Sequence, residues 1–172
     1  MPPLLGRTIA AVTLMLLAPL IVGIAILVRV TSRGPALHRA RRVGPQGDFT
    51  LHKLRTMVAS AETLGPGITA AGDHRVTPLG RFLRRTKLDE LPQLWDVARG
   101  EMALVGPRPE DPHFVDLSDP LHQVVFSALP GITGLAALAY RDEETVLAAE
   151  ALRLARADGR TAADDEDFNA GE

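Results

Sequence analysis

Asp89 and Glu90 form an adjacent carboxylate pair inside the stretch Thr77 to Glu110, TPLGRFLRRTKLDELPQLWDVARGEMALVGPRPE. Arg81, Arg84 and Arg85 precede the pair, and a Gly106-Pro107-Arg108-Pro109 turn closes the segment. Acidic groups flanked by arginines on both sides suit the handling of phosphate, because guanidinium forks supply countercharge and paired donors. Taken alone, the pair has an ordinary alternative: Asp89 caps a helix and Glu90 is surface charge.

The elements that must position the pair are two short helices. Thr77 followed by Pro78 is an N-cap and first-turn signal, and Leu79, Phe82 and Leu83 give that helix one apolar face. Its three arginines cannot all share that face, so some point to solvent or ligand. A second helix is expected from near Asp89 to about Ala98, with Pro92 in its first turn and Leu91, Leu94 and Trp95 inward. The dyad then sits at a helix N-terminus, where free N–H groups and the dipole favour anions. Gly100 is the expected stop.

Thr8 to Val28 carries no charge and is dominated by Leu, Ile, Val and Ala. As a helix rising ~1.5 Å per residue it reaches across a hydrocarbon core of roughly 30 Å. The single Arg7 before the run and the lack of an A-x-A-like site after it argue against a cleaved signal peptide. Pro19, near the middle, removes a backbone hydrogen bond and predicts a kink at Ala18-Pro19. Residue physics leaves two topologies open, a spanning helix or one that re-enters and leaves by the same leaflet. Arg29, Arg33, Arg39, Arg41 and Arg42 mark the C-terminal end as cytoplasmic.

The 172 residues are 46% hydrophobic and 23% charged with net charge -2, which fits one globular domain or one domain plus an attachment. That balance gives no bias toward nucleic acid, and 4% aromatics argue against a base-stacking surface. Zero cysteines exclude disulfides, thiolate metal sites and a cysteine nucleophile. The five histidines show no metal-ligand spacing.

Gly34-Pro35 breaks the first helix, Val43 to Asp48 reads as a hairpin turn, and Phe49 to about Leu54 as a short strand ending near Lys53 and Arg55. Arg39, Arg41 and Arg42 read as a juxtamembrane patch for anionic lipid. Val58 to Asp73 is a loop. Leu121 to Leu129 is a packed short helix or strand, Pro130 to Gly134 a tight turn, and Asp142 to about Arg156 a helix. The acidic end after it has the composition of a disordered tail.

Three separated stretches, GPALHRARRVGPQGDFTLHKLRTM, then Thr77 to Glu110, then PGITGLAALAYRDEE, resemble in order the sugar transferase domain of bacterial monotopic phosphoglycosyl transferases. The resemblance implies a membrane enzyme that moves a phospho-sugar from a nucleoside diphosphate sugar, such as a UDP-sugar, to polyprenol phosphate. It implies Asp89 as the nucleophile that forms an aspartyl phospho-sugar, Glu90 as its helper, and Mg²⁺ near both. By motif position it implies phosphate contacts from Lys53, Arg55, Arg84, Arg108 and Arg141. It favours the re-entrant topology with Pro19 as the kink, although Ala18 stands where the family often has Ser. VVFSAL replaces a usually basic stretch before Pro130, and Ala137 stands where Gln is common, which bears on sugar and nucleotide specificity.

The expectation is an α/β protein: a mostly helical compact domain with a small strand element, anchored by an N-terminal Pro-kinked re-entrant helix. Residues 1–32 are the membrane helix, 33–157 the catalytic domain and 158–172 the acidic tail. The domain faces the cytoplasm at the bacterial inner membrane and starts a surface glycan such as an exopolysaccharide. Its expected partners are nucleoside diphosphate sugar, polyprenol phosphate and membrane lipid, with a homodimer left open. The competing reading is a non-catalytic membrane module for nucleotide or anionic lipid. A nucleic-acid binder ranks third.

Overall fold

The computed structural model describes residues 3–61 and 73–134. The expectations for Arg141, for the helix after Asp142 and for the acidic tail lie outside the described residues.

Helix α1 (Pro3–Thr31) is followed by strands β1 (Leu37–Arg42) and β2 (Phe49–Leu54), then by α2 (Pro78–Thr86) and a 3-10 turn over Leu88–Glu90. Helix α3 (Gln93–Arg99), β3 (Ala103–Val105), a second 3-10 turn over Pro112–Phe114, α4 (Pro120–Phe126) and β4 (Gly131–Thr133) complete the order. The strands make two small sheets, an antiparallel β1–β2 hairpin and a parallel β3–β4 pair. The mixed helix and small-sheet architecture agrees with the expected class.

Helix α1 is continuous over 29 residues, with Pro19 inside it. It is long and apolar enough to cross a membrane. One face packs on the domain, where Ala10 is fully buried and Leu14 and Leu17 lie against a core of Leu51, Leu94, Val97 and Met102. The other face bares Leu5, Val12, Met15, Leu16, Leu20 and Ile26, an apolar stripe of the kind that marks a membrane or partner contact. Both ends are tied to the same domain. Arg7 donates from Nε to the Ala98 carbonyl (3.1 Å) and from Nη2 to that of Arg99 (3.0 Å), meeting the orphan carbonyls at the end of α3. At the other end, Ser32 accepts from Arg55.

The hairpin turn expected over Val43 to Asp48 joins the two strands, aligning Leu37 with Leu54 and Arg42 with Phe49, and uses Gly47 at φ 110°, where only glycine is unstrained. The extent of β1 was not legible, because LHRARR is basic on one side and only half-buried on the other. Pro130 to Gly134, expected as a turn, carries the strand β4. The cause is close approach: Gly106 donates to the Thr133 carbonyl (2.9 Å) and Gly131 to that of Pro107 (2.8 Å), and a Cβ at Gly131 would overlap the Gly106 backbone.

Thr77 caps α2 by accepting from the Gly80 N–H (2.9 Å), worth about 1 kcal/mol for such a cap, and Pro78 fills the first turn. Gly100 at φ 88° ends α3. Two inward assignments fail. Phe82 and Trp95 are about half exposed, because helices this short bury only a narrow stripe, taken here by Gly80 and Leu83 in α2 and by Leu94 and Val97 in α3. Asp89 lies in the 3-10 turn rather than in the first turn of α3, and Pro92 stands at the boundary. α4 forms where Leu121 to Leu129 was expected to pack, but Leu121, Val124 and Val125 are exposed.

Candidate active site

The dyad is carried on the 3-10 turn between α2 and α3, which starts from Lys87 in the left-handed region (φ 58°). The turn uses its own amides: Glu90 N–H donates to the Lys87 carbonyl (3.3 Å) and Leu91 N–H to that of Leu88 (3.4 Å). Two of the N–H groups expected to be free at the dyad are thus engaged within the turn itself.

Asp89 is 6% exposed, and its Oδ1 is buried with no hydrogen-bond partner among the described residues. Burial pushes its pKa up, against the opposing pull of Lys53, then Arg84, its own backbone N–H and Lys87. Glu90 is also raised, first by burial and further by Asp89, while Lys87, Lys53 and Arg108 oppose. Its carboxylate meets the Lys87 ammonium at 3.8 Å. On β2, burial pulls the Lys53 pKa down, and among charges Asp89 raises it most, with Arg84 and Arg42 lowering it. A buried Asp89 beside a half-buried Glu90, held between two half-buried cations, is an arrangement that burial penalises unless a further ligand completes it.

Arg84 is aimed by α2. A Cβ at Gly80 would overlap the Thr56 carbonyl, so glycine lets the helix lie on that strand end, and Arg84 Nε then donates to Thr56 Oγ1 (2.9 Å). Arg108 stands exposed on the Gly-Pro-Arg-Pro turn that the Gly106–Gly131 contact fixes. Lys53, Arg84 and Arg108 thus converge electrostatically on Asp89 and Glu90.

Arg55 goes elsewhere. It is 7% exposed and donates from Nη2 to the Ser32 carbonyl (2.8 Å) and hydroxyl (2.6 Å), capping the end of α1 beside Arg29. Gly34 leaves room for its Nη1, which a Cβ would strike. Arg141 lies outside the described residues. Ala18 and Pro19 sit in α1 as expected, within an unbroken helix.

Three contributors were missed in sequence. Arg42, assigned to lipid, pairs with Asp111 (2.7 Å) and faces Lys53. Lys87 reaches Glu90, and Thr56 holds Arg84. Lys87 had a local signal, its spacing of three residues from Glu90; Arg42 and Thr56 had none.

The residues present fit a divalent cation of the Mg²⁺ kind. Such ions take a few carboxylate oxygens plus waters and phosphate oxygens, and Asp89 Oδ1 is a buried acceptor without a partner. Among the described residues no cluster of three or more His, Cys, Asp or Glu could make an all-protein cage, so the dyad would hold the ion together with substrate.

The family model for bacterial sugar transferases matches residues 3–158. Curated relatives include the UDP-N-acetylgalactosamine-undecaprenyl-phosphate N-acetylgalactosaminephosphotransferase of Aeromonas hydrophila, 38% identical over 74% of this chain and 31% of that protein. The UDP-glucose:undecaprenyl-phosphate glucose-1-phosphate transferase of Caulobacter vibrioides is 44% identical over 74% of this chain and 49% of its own length. The exopolysaccharide production protein ExoY of Rhizobium meliloti is 34% identical over 78% of this chain and 66% of that protein. The chain thus spans about half or less of the first two relatives.

Proposed function

The chain belongs to the bacterial sugar transferase family, and on that premise we propose that it moves a phospho-sugar from a UDP-sugar to a polyprenol phosphate at a membrane. The observation that carries this reading is the buried Asp89 with an unpartnered oxygen, next to Glu90 and set among Lys53, Arg84 and Arg108, in a chain that also carries a long apolar helix. The named activities of the relatives, which use undecaprenyl phosphate as acceptor, support it.

In the first step an Asp89 oxygen attacks the sugar-bearing phosphorus. The bond from that phosphorus to the bridging oxygen breaks, and the nucleoside monophosphate leaves with the electron pair. An aspartyl phospho-sugar remains. In the second step a phosphate oxygen of the polyprenol acceptor attacks the same phosphorus, the acyl phosphate bond breaks, and the Asp89 carboxylate is restored. An anionic acceptor needs no strong base, so Glu90 serves to orient Asp89 and to share the cation. Mg²⁺, when bound, would neutralise diphosphate charge. Lys53 and Arg84 hold countercharge at the reacting phosphoryl group, and Arg108 reaches it from the opposite turn.

The helix reads as re-entrant, with the bend at Ala18-Pro19 developing in lipid. Ties from Arg7 to α3 and from Arg55 to Ser32 hold both ends at the same domain and support that reading over a spanning one. The arginines after α1 support a domain on the cytoplasmic side of the bacterial inner membrane. Release of UMP from UDP-sugars in the presence of Mg²⁺ and polyprenol phosphate tests the function; no release from any common UDP-sugar would sink it.

A further inference from the structure

Asp96 is a buried acid that the transfer steps above do not use. It is 0% exposed in the middle of α3, and both of its oxygens are spent on one residue of β2. Oδ2 accepts the His52 backbone N–H at 2.9 Å, and Oδ1 pairs with His52 Nδ1 at 2.7 Å. Along β2 the Arg55 N–H points to the Ala36 carbonyl on the β1 side, so by alternation the His52 N–H points away from β1, to the free edge of the hairpin. A carboxylate therefore covers an edge donor that no strand takes.

The position is an expensive one for an acid. Burial raises the Asp96 pKa, Glu101 raises it further, and only the His52 backbone and ring oppose. A well-packed apolar pair in place of both residues would avoid that desolvation, whereas removing either partner alone leaves the other buried without its bonds. The same residue organises the chain after it, since its carbonyl accepts from Gly100 (3.1 Å), Glu101 (3.0 Å) and Met102 (3.3 Å) on the way into β3.

What the bonds join is informative. His52 directly precedes Lys53, and α3 directly follows the turn that carries Asp89 and Glu90. Fixing both the backbone and the ring of His52 to α3 fixes the strand position from which the next side chain leaves, on the opposite face. That next side chain is the Lys53 ammonium, which answers Asp89.

We propose that Asp96, acting through His52, is a positioning residue for phosphoryl transfer: the buried pair sets where the Lys53 ammonium stands relative to the Asp89 nucleophile. This rests on the phosphoglycosyl transferase reading.

The test uses the full chain in lipid nanodiscs, with turnover per folded molecule measured for wild type, Asp96→Ala, Asp96→Asn, His52→Ala and His52→Asn. Asn at 52 keeps a donor near the Nδ1 position, and Asn at 96 keeps an acceptor for the His52 N–H. The two Ala variants lose about 10- to 100-fold in kcat with KM for the UDP-sugar changed less than about threefold, as expected for misplacing a catalytic group by about an ångström. The two Asn variants recover most of that loss. His52→Ala added to Lys53→Arg costs less than it does in wild type, because the group it positions is already displaced. Equal losses in both backgrounds, or Asn variants as poor as Ala at unchanged melting temperature, would overturn the positioning role while leaving the proposed function standing. Absence of turnover in wild type would overturn both.

Discussion

Lys53 and Asp89 are each other's strongest charged neighbour: among charges, Asp89 raises the lysine pKa most and Lys53 lowers the aspartate pKa most. Their backbones come from a strand and a 3-10 turn that are far apart in sequence. Burial favours the protonated form of Asp89, and the Lys53 ammonium is the charge that opposes this most.

Replacing Lys53 with Met removes this countercharge without removing the stem. Turnover is expected to fall about 10²-fold, the usual cost of one electrostatic contact at a reacting oxyanion. The loss should appear in kcat measured by UMP release. A change confined to KM would instead make Lys53 a simple donor-binding residue.

Gly80→Ala tests how α2 is seated. The added methyl meets the Thr56 carbonyl, which is backbone and cannot swing aside. Overpacking of this kind costs about 1–3 kcal/mol. A melting temperature lower by several degrees is expected, along with weakened turnover, because Arg84 is held by Thr56. An unchanged melt would show that α2 slides freely on β2.

The topology can be read by chemistry because the chain has no native cysteine. Leu4→Cys and Arg33→Cys, introduced singly, should both react with a membrane-impermeant thiol reagent from the cytoplasmic side. Opposite sidedness would mean a spanning helix and would require the Arg7 contacts with Ala98 and Arg99 to break in lipid.

Asp111 offers a stability test with a defined sign. Its bonds to His113 first, then to Arg42, lower its pKa to about 2. A depressed carboxylate contributes stability above its unfolded value of about 3.9 and loses it as pH falls through the folded value. The melting difference between wild type and Asp111→Asn should shrink as pH falls from about 4 to about 2. Its partial exposure keeps the effect small. A difference that grows on acidification would contradict the assignment.

Local signals in the sequence carried a good part of this structure, and non-local ones did not. The Thr77-Pro78 start, the Gly100 stop and the apolar α1 depend on neighbours within a turn, and each appears where expected. The convergence of Lys53, Arg84 and Arg108 on the dyad came from the family resemblance, since no spacing in one chain brings β2, α2 and a turn together. Arg55 was legible only as a phosphate position by motif; the contact of its Nη2 with Ser32, 23 residues away, has no signal in the sequence. The His52–Asp96 pair, 44 residues apart, left no trace in the sequence because each residue alone looks like half-polar surface. Trp95 and Phe82 were misassigned because seven- and nine-residue helices offer too few turns for periodicity to fix a face.

If Asp89 is the nucleophile proposed above, it carries the phospho-sugar covalently between the two steps. Intact-protein mass after brief exposure to UDP-sugar and Mg²⁺, without polyprenol phosphate, should show one added phospho-sugar, mapped by peptide analysis to Asp89. Asp89→Asn should show no adduct and no UMP release, and adding polyprenol phosphate to wild type should discharge the adduct. UMP release that persists in Asp89→Asn, or an adduct on another residue, would contradict the account.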